Sequence, residues 1–224
     1  MLVELFFRCC IFTYYYYDQQ EKKACIDIRI VLLHIKTREL ELGFLVVGFV
    51  GQTMCSPSYL PVYNPNAWNA EDFVTFNNCY AYAFEDRQPG RDHKPSPGER
   101  SALRFRVLHP SDYSCPSLKQ LIGADYPGVI FQYDNGEIPC PCGYYKAFVA
   151  TTGEVYPARN RDYHLWRQDR NTMWSHKPGS WSVTDRDGGG QRISNPLYAN
   201  RKHGDIDYKI PCGFLCIPSR YKSE

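Results

Sequence analysis

The sequence has no excess of charge of either sign. Its 26 Lys and Arg face 24 Asp and Glu, a net of only +2, so there is no cationic block to track a phosphate backbone, and nucleic acid is not an expected partner. A long apolar run is also missing. The stretch GFLVVGFVG at 43–51 holds nine uncharged residues, against the roughly 20 that a membrane-crossing helix requires, so no transmembrane span is expected. The first residues lack the order of a secretory signal, because Glu4 and Arg8 interrupt the apolar stretch and no small-residue cleavage site follows. The compartment is left open. Ten cysteines in 224 residues fall short of a disulfide-scaffold composition, and there is no internal repeat.

What is present suits one folded domain with extra sequence. Hydrophobic residues make up 43% of the chain and aromatics 15%, led by 18 Tyr, while 16 Pro and 16 Gly imply many turns and argue against a long helical bundle. Residues 1–53 differ in texture: a Tyr14–Tyr17 run is followed by stretches in which 26–35 suits a strand and 39–50 a strand or short helix. Met54 opens a Pro-rich segment that could itself begin a protein. The expected division is an N-terminal extension at 1–53, one α+β domain at 54–218 and a tail at 219–224.

Within that domain, Asn77 or Asn78 can cap a short apolar helix that begins at Cys79. The segment 86–100, rich in Pro and Gly, is a loop. Ser114 or Cys115 before Pro116 suits a second helix start, with Gly123 as its C-terminal cap. Three short segments rich in aromatic and β-branched residues, at 128–132, 144–150 and 162–168, read as strands. A turn at 169–172 then leads into 173–176 as a hairpin. The fold expected is short N-terminal helices followed by a small antiparallel sheet.

Cys79, His164 and His176 form the one set suited to catalysis. A free thiol has a pKa near 8.5, and a helix start or a neighbouring imidazolium favours the thiolate. Strand alternation puts His164, Trp166 and Gln168 on one face, and a hairpin centred near Arg170 returns His176, 12 residues on, beside His164. That order supplies nucleophile, base and orienter.

The pieces NNCYAYA, DYHLWRQ and WSHKPG resemble, in order and final spacing, the NlpC/P60 group of papain-like cysteine peptidases and amidases. The resemblance implies Cys79 as nucleophile, His164 as base and His176 as orienter, acting on an amide or acyl bond of a peptide or acyl substrate through a thioester, with no cofactor. Asn78 and Tyr80 stand where that group carries an acidic and a small residue. The phrase DYHLWRQD…WSHKPG is also similar to one in uncharacterised bacterial and viral proteins, which implies no activity.

Each piece has a plainer reading. Cysteine is among the residues most often buried, so Cys79 reads equally as core. Trp166, Trp174 and Trp181 could line a cleft or fill a core. Arg167, Arg170 and Lys177 could hold a substrate carboxylate or be a solvated hairpin. Cys140, Cys142, Cys212 and Cys216 offer four thiolates to zinc in a spacing unlike the usual knuckle, with disulfides or burial as alternatives. Asp185 and Asp187 form a DxDG turn without the later acidic ligand of a calcium loop. A noncatalytic carbohydrate- or protein-binding module, or a zinc-stabilised structural domain, is the alternative to an enzyme.

Overall fold

The computed structural model describes residues 7–17, 25–36, 41–46, 59–132 and 135–219. The chain divides into two units, Met1–Ser56 and Pro57–Glu224. In the first, strands β1 (Phe7–Tyr17), β2 (Cys25–Lys36) and β3 (Glu41–Val46) make an antiparallel sheet in sequence order. Its first hairpin pairs Phe7 with Ile35 and Tyr17 with Cys25.

The second unit is α+β. Its helices come first, and each of three starts on a side-chain cap that accepts an otherwise unsatisfied first-turn N–H. Asn64 caps α1 (Pro65–Asn69), Asn78 caps α3 (Cys79–Ala83) through the N–H groups of Tyr80 and Ala81, and Ser114 caps α4 (Cys115–Asp125). Between the first two lies α2 (Glu71–Val74). Gly123 does not end α4. The helix runs on through Asp125, because Ile122, Asp125 and Tyr126 all pack inward and Tyr126 stacks on Phe84 at 3.8 Å.

Strands β4 (Ile130–Phe131), β5 (Tyr144–Thr151), β6 (Tyr163–Gln168), β7 (Trp174–His176) and β10 (Ile210–Pro218) form an antiparallel sheet in the order β4-β10-β5-β6-β7. A separate hairpin joins β8 (Lys202–His203) to β9 (Ile206–Asp207). Of the expected strand at 128–132 only two residues pair. Both faces of the sheet are covered, which is why β5 is buried along almost its whole length rather than at alternate positions.

Tyr145, Ala147, Val149, Tyr163 and Leu165 pack under α3 and α4, while Phe148, Ala150, Trp166 and Trp174 pack beneath the long connection to β10. A bulge at Pro211–Gly213, with Gly213 at φ +110°, shifts the alternation of β10 so that Cys212, Leu215 and Ile217 all serve the helical face. Two disulfides fasten β10. Cys115–Cys212 ties it to the start of α4, and Cys140–Cys216 ties it to the segment before β5.

Candidate functional site

The β6–β7 hairpin carries the two histidines. Trp166 pairs with His176, Arg167 with Ser175 and Gln168 with Trp174, so the turn centres on Asn171 and His176 lies one pair beyond His164, on the same face. The imidazoles meet with His164 Nε2 2.7 Å from His176 Nδ1, and His176 Nε2 lies 2.9 Å from the Arg186 carbonyl oxygen. That carbonyl can only accept, so His176 carries its proton on Nε2. Its Nδ1 therefore accepts, and His164 donates from Nε2. The remaining lone pair of the chain is on His164 Nδ1.

Both rings are buried, at 1% and 0% exposure, and both are held neutral. Burial depresses His164 far below the usual imidazole range, with the neighbouring His176 and His203 acting in the same sense. Burial likewise lowers His176 to about 3, against the pull of the Arg186 carbonyl. A neutral base in a fixed tautomer is what proton abstraction requires.

Cys79 opens α3 and is a free cysteine. Because β7 pairs with β6 only over Trp166–Gln168, the β6 backbone at 163–165 has no strand partner on that side. The thiol occupies this gap. It donates to the Tyr163 carbonyl at 3.9 Å, and the Leu165 N–H offers the sulfur a hydrogen bond. The structure thus sets Cys79 against the backbone on either side of His164, in the helical-face cluster, while the imidazole projects to the other face. Its hydrogen bonds are to that backbone and not to either imidazole. Burial pushes the thiol up to about 12, and the Asp162 carboxylate adds to the rise, so the resting pair is thiol and neutral imidazole. Tyr80 and Ala81 N–H are occupied by the Asn78 cap and are not open to an oxyanion.

Three neighbours had no strong sequence signal. Tyr208 lies tilted against the His164 ring at 5.0 Å and donates to Asp162 Oδ2 at 2.7 Å, while Asp162 Oδ1 accepts the Tyr163 N–H. His203 stands 5.1 Å from the His176 ring, its Nε2 buried without a hydrogen-bond partner. Asp162 lies in the DYHLWRQ phrase itself, whereas a long connection brings in Tyr208 and His203, so no local spacing announces those two.

Other expected roles are corrected. Arg167 points to the helical face, fully buried. It donates to Asp169 Oδ1 (3.1 Å), Glu85 Oε1 (3.3 Å) and the Tyr82 and Val62 carbonyls, and lies 3.9 Å over the Tyr82 ring. Four of its five donors are thus engaged within the fold. Trp166 and Trp174 are core, at 1% and 3% exposure against Phe148 and Phe214, whereas Trp181 is 78% exposed. Buried Lys177 donates to the carbonyls of Val74, Gly179 and Trp181.

The zinc alternative fails, because Cys212 is bonded to Cys115 and Cys216 to Cys140, while Cys142 is disulfide-bonded as well. Among the described residues no cluster of His, Cys, Asp or Glu could hold a metal. The Asp187 carboxylate already accepts the N–H groups of Gly189, Gln191 and Asn200, which makes a turn and not a calcium site. No described helix is long and apolar enough to cross a membrane.

No family model matches the chain, and no solved structure matches it. Among curated proteins it is similar to "Insoluble matrix shell protein 1" of Ruditapes philippinarum, with 26% identity over 139 residues that cover 62% of this chain and 80% of that protein.

Proposed function

We propose that this is a disulfide-stabilised thiol hydrolase or acyltransferase, similar in chemistry to the papain-like enzymes, acting on an amide or acyl bond. The observation that carries the reading is the histidine chain, which leaves a lone pair on His164 Nδ1 while a reduced thiol lies against the same stretch of β6. Thiol and imidazole rest on opposite sides of the β6 backbone, so the first step requires one of them to swing past the strand edge, whereupon the Cys79 proton passes to His164 Nδ1 and the sulfur adds to the carbonyl carbon. Collapse of the tetrahedral adduct breaks the bond to the leaving group, which takes the proton back from the imidazolium. Water or an amine then attacks the thioester, gives up its proton through His164, and releases Cys79 as the thiol. His176 holds the base in its tautomer. The disulfides of this unit favour an oxidising, extracellular setting, in which an unpaired cysteine stands out.

The test is incubation of the full chain with peptide thioesters and activated acyl esters, with the Cys79 acyl adduct followed by mass spectrometry. Wild type should form the adduct, Cys79→Ser should not form the thioester, and His164→Asn should slow it about 10²–10⁴-fold. Equal, slow acylation of wild type and His164→Asn would remove the enzyme reading. A second reading, a noncatalytic matrix component, is favoured by the 5% exposure of Cys79 and by the shell protein similarity. It predicts that equal outcome.

A further inference from the structure

The loop after α3 returns across the start of that helix, and its contacts converge on the thiol. Asn78 Nδ2 donates to the Pro95 carbonyl at 2.8 Å, and Tyr163 Oη donates to the same oxygen at 3.5 Å. Asn78 immediately precedes Cys79, and the Tyr163 carbonyl accepts the Cys79 S–H. Pro95 is therefore bonded to a residue on each side of the sulfur. Pro95, Pro97 and Gly98 are buried, and Cys79 is left 5% exposed.

Two fastenings hold this segment. The first is buried: Asp125 accepts the Gly98 and Ser101 N–H groups at 2.7 and 2.8 Å together with the Tyr80 hydroxyl. A side chain on Gly98 would meet Leu121 at 2.8 Å, with φ at +88°, so glycine allows the close approach. The second fastening is half-exposed. His93 places Nδ1 2.5 Å from Asp92 Oδ1 and Nε2 on Glu99 Oε1, while Glu99 Oε2 accepts the Ser96 N–H at 3.1 Å. Carboxylates on both ring nitrogens need a proton on each, which only the imidazolium has. Arg106 is the other charge present, paired with Asp92 at 3.1 Å. Lys94 lies instead toward Gly179.

We propose that residues 92–99 are a strap that closes Cys79 off from solvent and from substrate, latched by the His93 imidazolium clasped between Asp92 and Glu99. Its regulatory purpose rests on Cys79 being a reactive thiol, though the closure does not. The hydrogen bonds to Glu99, and then to Asp92, raise the His93 pKa. The latch is complete below that raised value and is lost as the pH rises through it, when the ring keeps one proton for two carboxylates. The strap then opens by releasing 93–97 from its outer end while Asp125 keeps the hinge.

The experiment is alkylation of the native full chain with iodoacetamide from pH 6 to 9, quantified on the Cys79 peptide, for wild type, His93→Gln and Glu99→Gln. Each variant should react about tenfold faster than wild type at pH 6, a shift of about 1.4 kcal/mol in strap opening. The ratio should fall toward one at high pH. A ratio near one at every pH would overturn the strap. Amide hydrogen exchange at Ser96 and Glu99 in wild type should quicken as the latch titrates, beyond the intrinsic pH dependence of exchange, and unchanged protection there would overturn it even if a variant failed to fold. Faster alkylation combined with acylation that ignores His164→Asn would leave a strap over an inert thiol. A fixed strap with His164-dependent acylation would leave the enzyme without this control.

Discussion

Replacing Arg167 with Met distinguishes a structural guanidinium from a substrate-binding one. The side chain is fully buried, paired with Asp169 at 3.1 Å and Glu85 at 3.3 Å, and it satisfies two backbone carbonyls. Met matches the aliphatic part but removes every donor. Breaking a buried ion pair from one side costs about 3–5 kcal/mol, because the partner charge stays behind in a poor solvent. Asp169 keeps its hydrogen bond from Ser175 Oγ and is already raised in pKa by burial, so its protonation limits the loss to the lower part of that range.

Against a total stability of about 5–15 kcal/mol, this is a large fraction. All four tryptophans lie in the second unit, so urea unfolding followed by tryptophan fluorescence reports on that unit alone. With a slope of about 1–3 kcal/mol per molar urea, the midpoint should fall by roughly 1–3 M. Adding Asp169→Asn should recover at least about 1 kcal/mol through the coupling of the pair. A variant within about 1 kcal/mol of wild type would refute the assignment and return Arg167 to the list of groups available to a ligand.

Other outcomes follow from the same contacts. Removing Cys115–Cys212 or Cys140–Cys216 by paired Ala substitutions releases loops of 97 and 76 residues. Each should cost about 4–5 kcal/mol on loop entropy alone, less than additively because the loops overlap, and thermal melts by circular dichroism check this. Stability should also decline as the pH falls below about 6.5. His164 and His176 stay neutral in the fold while the unfolded chain takes up their protons, which costs about 1.4 kcal/mol per pH unit for each ring, down toward the depressed folded values. Urea midpoints between pH 7 and 5 that did not move would contradict the buried neutral pair.

Local chemistry was readable in the sequence where one residue decides the outcome. An asparagine cap, at 77 or 78, placed the start of α3 at Cys79, and the aromatic and β-branched run at 162–168 gave β6 and its two faces. The turn after it put the histidines within one pair of each other. Long-range choices were not readable. Nothing near Cys212 or Cys216 indicates partners 97 and 76 positions away, so plain burial is the default reading, with disulfides and zinc as alternatives. Arg167 has the composition of a solvated hairpin, and only the packing of α3 on that face turns it inward. Gly123 has the type of a C-cap, but the burial of Asp125 and Tyr126 outweighs its local preference.

The central claim is that the histidine chain fixes His164 in one tautomer and leaves the lone pair on its Nδ1. Long-range ¹H–¹⁵N correlation spectra of the imidazoles at pH 7 test it most directly. The structure predicts that His164 and His176 are both neutral, both protonated on Nε2, and unchanged down to about pH 5. A His164 protonated on Nδ1, or an imidazolium at neutral pH, would contradict the chain and with it the proposed thiol chemistry.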